Sequence, residues 1–256
     1  MTIDFLGIGA QKSGTSWLYE NLKRHPGLFI PEIKEVHFWD WKHHLGLDWY
    51  RAQFAGAPPG ARCGEITPAY GMLAPATIAE VRAAFPDIRL VFIMRNPVER
   101  AWSAATMAMR HADMRLEEAS LRWFLDHVNS QGSRRRGDYR TCLANWRAAY
   151  PQERILTLLF DELTAEPRAV LRRVAEHIGL DAAWFDQVPD EVLRRKVLEG
   201  GGEAMPPRLR EHLVRLYAPQ IEALEDYLGV PLTAWKEANR LPPPSLARRI
   251  GALLGG

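Results

Sequence analysis

The sequence predicts an α/β fold of three layers, with a central mainly parallel sheet flanked by helices. Three observations carry that expectation. Short apolar runs at 3–9, 89–94 and 155–160 have the length of buried strands. Each is followed, directly or nearly so, by a helical pattern, and strands alternating with helices imply parallel pairing with both faces covered. The first run, "IDFLGIG", ends in glycines and leads into a stretch with Leu18 and Leu22 four residues apart, so strand, loop and helix follow one another there.

The later elements follow in order. Between the first two runs and beside the second, "PATIAEVRAAFP" places Ile78, Val81 and Phe85 on one stripe. The run "RLVFIM" (89–94) leads to "NPVERAWSAATMAM", where Asn96 has N-cap chemistry and Pro97 suits the first helical position. The run "ILTLLF" (155–160) precedes "PRAVLRRVAEHIG", a helix expected to stop at Gly179. Residues 206–228 read as a helix pair interrupted at Pro219, with Leu209, Leu213, Tyr217, Ile221, Leu224 and Leu228 as the buried stripe. The terminal "LPPPSLARRIGALLGG" reads as a stiff linker and a short basic-apolar helix, giving one domain over 1–240 and an appendage over 241–256.

Composition narrows the class. A chain of 256 residues, 47% hydrophobic and 25% charged, is ordinary for a globular domain and excludes disordered and collagen-like classes. With 33 basic against 31 acidic residues the formal charge is +2, so an anion site must be built locally and nucleic acid is not the expected partner. Cys63 and Cys142 lie far apart without metal-ligand spacing and read as reduced, buried thiols. The N-terminal run lacks a preceding basic region, and no segment reaches the ~18 apolar residues of a membrane span. The expectation is a soluble, cytoplasmic protein without stable membrane insertion.

The chemistry starts in "GAQKSGTSWL", where Gly9, four residues, and Gly14 nearly complete a phosphate loop. The mononucleotide pattern wants a lysine directly after the second glycine, where Thr15 stands, and the nearby cation is Lys12, two residues upstream of Gly14. Such a P-loop-like turn at a helix N-terminus offers backbone N–H groups to an anion, and Ser13, Thr15 and Ser16 add hydroxyls. It can also serve only to cap a helix, a reading that Lys12 inside the turn weakens. A Mg-dependent, kinase-like phosphotransferase would use Asp161 and Glu162 after the third strand for its metal. Against it, the phosphate-reaching lysine is displaced and the second strand ends on a cation, Arg95.

Taken together, "QKSGTSWL" and "RNPVERAWS" resemble the 5′-phosphosulfate loop and the 3′-phosphate segment of sulfotransferases that use 3′-phosphoadenosine 5′-phosphosulfate (PAPS). The likeness continues through "KEVHFWD", "GLDWY", "GEITPAY" and "YRTCLANWRAAYPQERILTLLFDEL" over most of residues 5–230, and is nearest to the Golgi heparan sulfate branch and its soluble bacterial relatives. The resemblance implies that the backbone from Ser13 through Gly14 to Trp17, with Thr15 and Ser16, wraps the 5′-phosphate. It implies that Lys12 contacts the oxygen bridging phosphate and sulfuryl group, and that Arg95 and Ser103 hold the 3′-phosphate. No metal is called for.

In "IKEVHFWDW" an acceptor's proton can be taken by a carboxylate or an imidazole, and Glu35 and His37, two residues apart, would face one side of an extended segment. The resemblance assigns the base to Glu35, with His37 as helper or substitute. Two departures stand out: Ile66 replaces the lysine that the heparan sulfate enzymes carry before Thr-Pro, and their C-terminal Lys-Gly-Arg loop is matched only loosely by Arg195, Lys196 and Gly200–Gly202. Both argue against a polysaccharide specialist. The acceptor class stays open among a glycan, a lipid headgroup, a small metabolite and a peptide tyrosine, with Arg134–Arg136 as a docking cluster for an anionic one. A binding module without chemistry is the non-enzymatic alternative, and the presence of Lys12, Glu35, Arg95 and Ser103 speaks for the enzyme.

Overall fold

The computed structural model describes residues 2–195, 197 and 202–241. The linker and terminal helix expected over 241–256 lie outside the described residues, apart from Leu241. Five strands, β1 (Phe5–Gly9), β2 (Leu28–Phe29), β3 (Arg62–Ile66), β4 (Arg89–Met94) and β5 (Ile155–Leu159), form one sheet in the order β2-β3-β1-β4-β5. Every pairing is parallel, from Phe5 opposite Gly64 on one side of β1 to Met94 opposite Leu159 at the far edge.

Side chains of the strands alternate between the faces, and helices cover both. Leu6, Ile8, Leu90, Phe92 and Met94 enter the larger core, whereas Phe5, Val91 and Ile93 enter the smaller one. On the smaller face lie α1 (Thr15–Leu22) and, later in the chain, α8 (Phe160–Ala165), α9 (Pro167–Ile178) and α10 (Asp190–Leu193). The larger face carries α2 (Gly46–Ala52), α3 (Pro75–Ala84), α4 (Pro97–His111), α5 (Leu121–Asn129), α6 (Gln131–Gly137) and α7 (Tyr139–Ala149), then α11 (Pro207–Leu228) and α12 (Thr233–Ala238). None of the described helices is long and apolar enough to cross a membrane. Cys63 and Cys142 are buried free thiols, and burial pushes Cys142 up to about 12.

The interruption expected at Pro219 does not occur: α11 runs unbroken from Pro207 to Leu228. Proline removes one backbone hydrogen bond and crowds the preceding turn. Leu209, Leu213 and Tyr217 before it, and Ile221 and Leu224 after it, are all buried in the same core, so packing holds both halves on one axis. Leu228 is only partly buried.

From β1 the chain leaves toward β2 and β3, while β4 pairs on the other side, so the carboxyl ends of β1 and β4 flank a topological switch point, the usual ligand crevice of such sheets. The sheet is tight beside it. A Cβ at Gly64 would stand 2.1 Å from a ring carbon of Phe5 and 2.6 Å from its carbonyl oxygen. Gly64→Ala should therefore destabilise the fold by about 1–3 kcal/mol through overpacking, read as a lowered urea midpoint with an unchanged m-value.

Candidate active site

The loop after β1 is shaped by its backbone. Lys12 and Gly14 both take left-handed conformations, with φ of 67° and 89°. A Cβ at Gly14 would stand 2.9 Å from Leu163 and 3.1 Å from Phe160, so α8 packs directly against the loop and glycine is required on both counts. The first intrahelical bond of α1 runs from Leu18 N–H to Gly14 O at 3.0 Å. The amides of Thr15, Ser16 and Trp17 thus belong to the open helix end that attracts anions. Ser13 is fully buried, and its Oγ makes no hydrogen bond of normal geometry among the described residues. The Trp17 indole turns away and donates to Leu193 O at 2.6 Å.

Arg95 and Asn96 follow β4. Asn96 Oδ1 caps α4 by accepting from Val98 N–H at 3.1 Å. It also accepts from Asn239 Nδ2 at 3.1 Å, and the reciprocal amide bond is equally long, so α12 is pinned to this junction. Arg95 donates to Lys12 O at 3.3 Å and lies 4.7 Å from the Phe160 ring centroid. No carboxylate among the described residues pairs with it, and burial draws its pKa below the ordinary arginine value. Ser103, half-buried, sits two turns into α4.

Lys12 completes a cluster of like charge. Its Nζ lies 3.7 Å from Met107 Sδ on α4, and its pKa is lowered first by burial and then by Arg110, Arg95 and Lys34. Arg110 is held by both carboxylate oxygens of Glu203, at 3.1 and 2.9 Å. Lys196, Gly200 and Gly201 of the expected covering loop lie outside the described residues. Its described flanks are tied down at Leu193 by Trp17 and at Glu203 by Arg110 and Trp102. Among the described residues, a buried hydroxyl without a hydrogen bond of normal geometry, an open helix end and two cations lacking carboxylate partners fit a ligand with two anionic ends.

A second group of side chains, linked to the cations through Lys34, is acidic. Glu35 Oε1 is 3.2 Å from Lys34 Nζ, and Glu35 Oε2 is 3.2 Å from His37 Nε2. The other ring nitrogen, Nδ1, is 2.9 Å from Asp40 Oδ2, and the imidazole stacks on Trp41 at 4.0 Å. Glu35 and His37 do meet, but not along an extended segment as expected. His37 adopts a left-handed conformation, φ 56°, and opens a π-helical turn over Phe38–Lys42 that folds Asp40 and Trp41 back on the ring. The sequence reading passed over Glu65 in this region, a fully buried carboxylate at the end of β3.

The arginine run is dispersed by α6. Arg134 is exposed, Arg135 donates to Met72 O at 2.8 Å, and only Arg136 is half-buried, its pKa drawn down by burial and by Arg100 and Arg135 against the smaller opposing effect of Asp40 and Glu35. Asp161 and Glu162, the metal ligands of the kinase-like alternative, are otherwise engaged. Asp161 Oδ2 accepts from Trp235 Nε1 at 2.7 Å, and Glu162 accepts from the Leu159 amide and pairs with Arg173.

A family model described as the sulfotransferase domain matches residues 2–199. The human heparan sulfate glucosamine 3-O-sulfotransferase 6 is 31% identical over 183 residues, covering 70% of this chain and 53% of that protein. The bifunctional heparan sulfate N-deacetylase/N-sulfotransferase 1 of Caenorhabditis elegans is 25% identical over 253 residues, 88% of this chain and 29% of that one. The chain thus spans about half, or less, of the length of these relatives. Among solved structures, a sulfotransferase from Alicyclobacillus acidocaldarius superposes with a TM-score of 0.72 at 25% identity, covering 92% of this chain and 99% of that one. Mouse sulfotransferase SULT7A1 complexed with PAP shares the fold at 15% identity, TM-score 0.53, covering 89% and 88%.

Holding Lys12 charged among other cations carries a cost that can be measured. A lysine whose folded pKa lies below its unfolded one binds fewer protons when folded, so between the two values stability rises with pH. Lys12→Met should therefore raise the Tm of the ligand-free protein at neutral pH. The gap should narrow as pH climbs from Lys12's lowered value toward the ordinary lysine range, while affinity for adenosine 3′,5′-bisphosphate falls. Equal Tm values at neutral pH would show that the charge is carried without cost.

Proposed function

The chain belongs to the sulfotransferase family, and on that premise we propose that it moves the sulfuryl group of PAPS to an acceptor hydroxyl and releases adenosine 3′,5′-bisphosphate. The observation that carries this reading is the pair Lys12 and Arg95, cations without carboxylate partners among the described residues at an open helix end, together with the Glu35–His37–Asp40 chain. PAPS, when bound, supplies a sulfuryl group on a phosphate leaving group.

The residues divide the work. Amides from Ser13 to Trp17 and the hydroxyls of Ser13, Thr15 and Ser16 would hold the 5′-phosphate, with Gly14 admitting the backbone close to it. Arg95 and Ser103 would hold the 3′-phosphate. Lys12 would neutralise the charge that builds on the bridging oxygen, where positioning and electrostatics supply most of the rate in a loose in-line transfer. Glu35 would take the acceptor's proton. His37, with one nitrogen toward Glu35 and the other toward Asp40, can share that proton and keep Glu35 aimed.

Relatives named as 3-O-sulfotransferases favour a hydroxyl over an amine as acceptor. The buried free thiols support action in the cytoplasm, from a domain spanning 1–240. The kinase-like reading is disfavoured because its two carboxylates are committed to Trp235, Leu159 and Arg173.

Radiolabelled PAPS incubated with fractionated metabolite and glycan extracts should yield labelled product and adenosine 3′,5′-bisphosphate. Calorimetry should show the bisphosphate binding more tightly than ATP, unaffected by EDTA, and Arg95→Ala should weaken it by about 1.5–3 kcal/mol. Tighter, Mg²⁺-dependent ATP binding would overturn the assignment. Glu35→Gln should lower turnover by roughly 10² to 10⁴ with bisphosphate affinity nearly unchanged. Loss of turnover in His37→Ala with an active Glu35→Gln would transfer the base to the imidazole.

A further inference from the structure

We propose that Glu65 is a positioning residue whose buried negative charge fixes the hydrogen-bond direction of two hydroxyls and, through them, the backbone that carries Glu35 and His37. This rests on the reading that those two side chains accept the proton.

Glu65 is 1% exposed and receives donors at both oxygens. Tyr50 and Tyr70 hydroxyls donate to Oε1 at 3.0 and 2.7 Å, and the Thr67 hydroxyl donates to Oε2 at 2.6 Å. Burial pushes the carboxyl upward, and the Thr67, Tyr70 and Tyr50 hydroxyls and then the Val36 amide act against it in favour of the charged form. Two of these hydroxyls pass the constraint on. Tyr70 Oη accepts from Phe38 N–H at 2.9 Å and Trp39 N–H at 3.4 Å, and Thr67 Oγ1 accepts from His37 N–H at 3.4 Å. The amides from Val36 to Trp39 therefore all point, directly or through one hydroxyl, at a single carboxylate.

Charge is what makes the pattern consistent. A hydroxyl has one proton and two lone pairs. Because a carboxylate only accepts, each hydroxyl turns its proton toward Glu65 and leaves its lone pairs to the amides. A glutamine of the same shape must place an NH₂ on one side, facing Tyr50 and Tyr70 or facing Thr67. There it meets further donors, so a hydroxyl has to reverse and an amide loses its acceptor. Buried polar networks of this kind hold a unique geometry only when every member is satisfied. The segment has no regular strand or long helix to hold it otherwise.

The test compares Glu65→Gln, Glu65→Asp and Tyr70→Phe with wild type. Expected for Glu65→Gln is a fall in kcat of about 10- to 100-fold, the usual range for supporting groups behind a reacting one. The KM for PAPS and the Kd for adenosine 3′,5′-bisphosphate should stay within about twofold, since the nucleotide loop is built on other elements. Glu65→Asp, which keeps the charge, should recover part of the loss, and Tyr70→Phe should share it. Hydrogen exchange should quicken at the amides of residues 37–39 while the amides of β4 keep their protection. A Glu65→Gln protein with wild-type kcat, or one whose nucleotide affinity falls as far as its kcat, would overturn the proposal. Should wild type turn over no PAPS, the sulfuryl-transfer reading fails by itself, and exchange at 37–39 still decides whether Glu65 holds the segment. If Glu65→Gln does not fold, Tyr70→Phe and Glu65→Asp carry the same comparison.

Discussion

Positive charge held without a carboxylate partner among the described residues, at the carboxyl ends of β1 and β4, is the constraint around which this molecule is arranged. Lys12 and Arg95 are partly desolvated, and burial works against the charge of each. Arg95's close contacts are a carbonyl and an aromatic face, with Glu99 and Asp161 acting on it only through space. The helices reinforce the demand rather than relieve it, because α1 and α4 both begin at this end of the sheet and present their positive dipole ends there. An anion with two separated charged groups answers all of these at once. The unpaired Ser13 hydroxyl and the close packing of α8 behind Gly14 belong to the same preparation.

Opposite charge is gathered in a separate group of side chains. Glu35, Asp40 and Glu65 lie within one short stretch of contacts, and Lys34 stands at the boundary, bonded to Glu35 yet felt by Lys12. The separation suits a transfer in which a proton moves toward carboxylates while negative charge grows on a leaving oxygen among cations.

Much of this was legible in the chain. β1, β4 and β5 announce themselves as apolar runs, and the Asn96–Pro97 junction reads as a helix start because capping chemistry is local. β2 is two residues long, and β3, "RCGEI", mixes charge and glycine, so neither carries a pattern of its own. Pro219 misleads because its cost is local while the packing that offsets it involves partners distant in sequence. Lys12, Glu35 and His37 were singled out by side-chain chemistry and by family resemblance, but the turn that brings Glu35 to His37 depends on the conformation of His37 itself. Glu65 was invisible for a plainer reason. A glutamate is read as a surface residue until Tyr50, fifteen positions away, is seen to donate to it.

The reciprocal amide pair between Asn96 and Asn239 joins positions 143 residues apart. A chain leaves the ribosome N-terminal end first, so the sheet, the phosphate loop and the start of α4 are all synthesised long before α12 arrives to close on Asn96 and Asp161. Until then the cap of α4 lacks its second donor, and Asp161, later bonded to Trp235, has a free oxygen beside the cations. During biosynthesis, completion of the nucleotide side therefore waits for nearly the whole described chain. The Glu65 network, which lies between Val36 and Tyr70, has all its members in the chain far earlier than that.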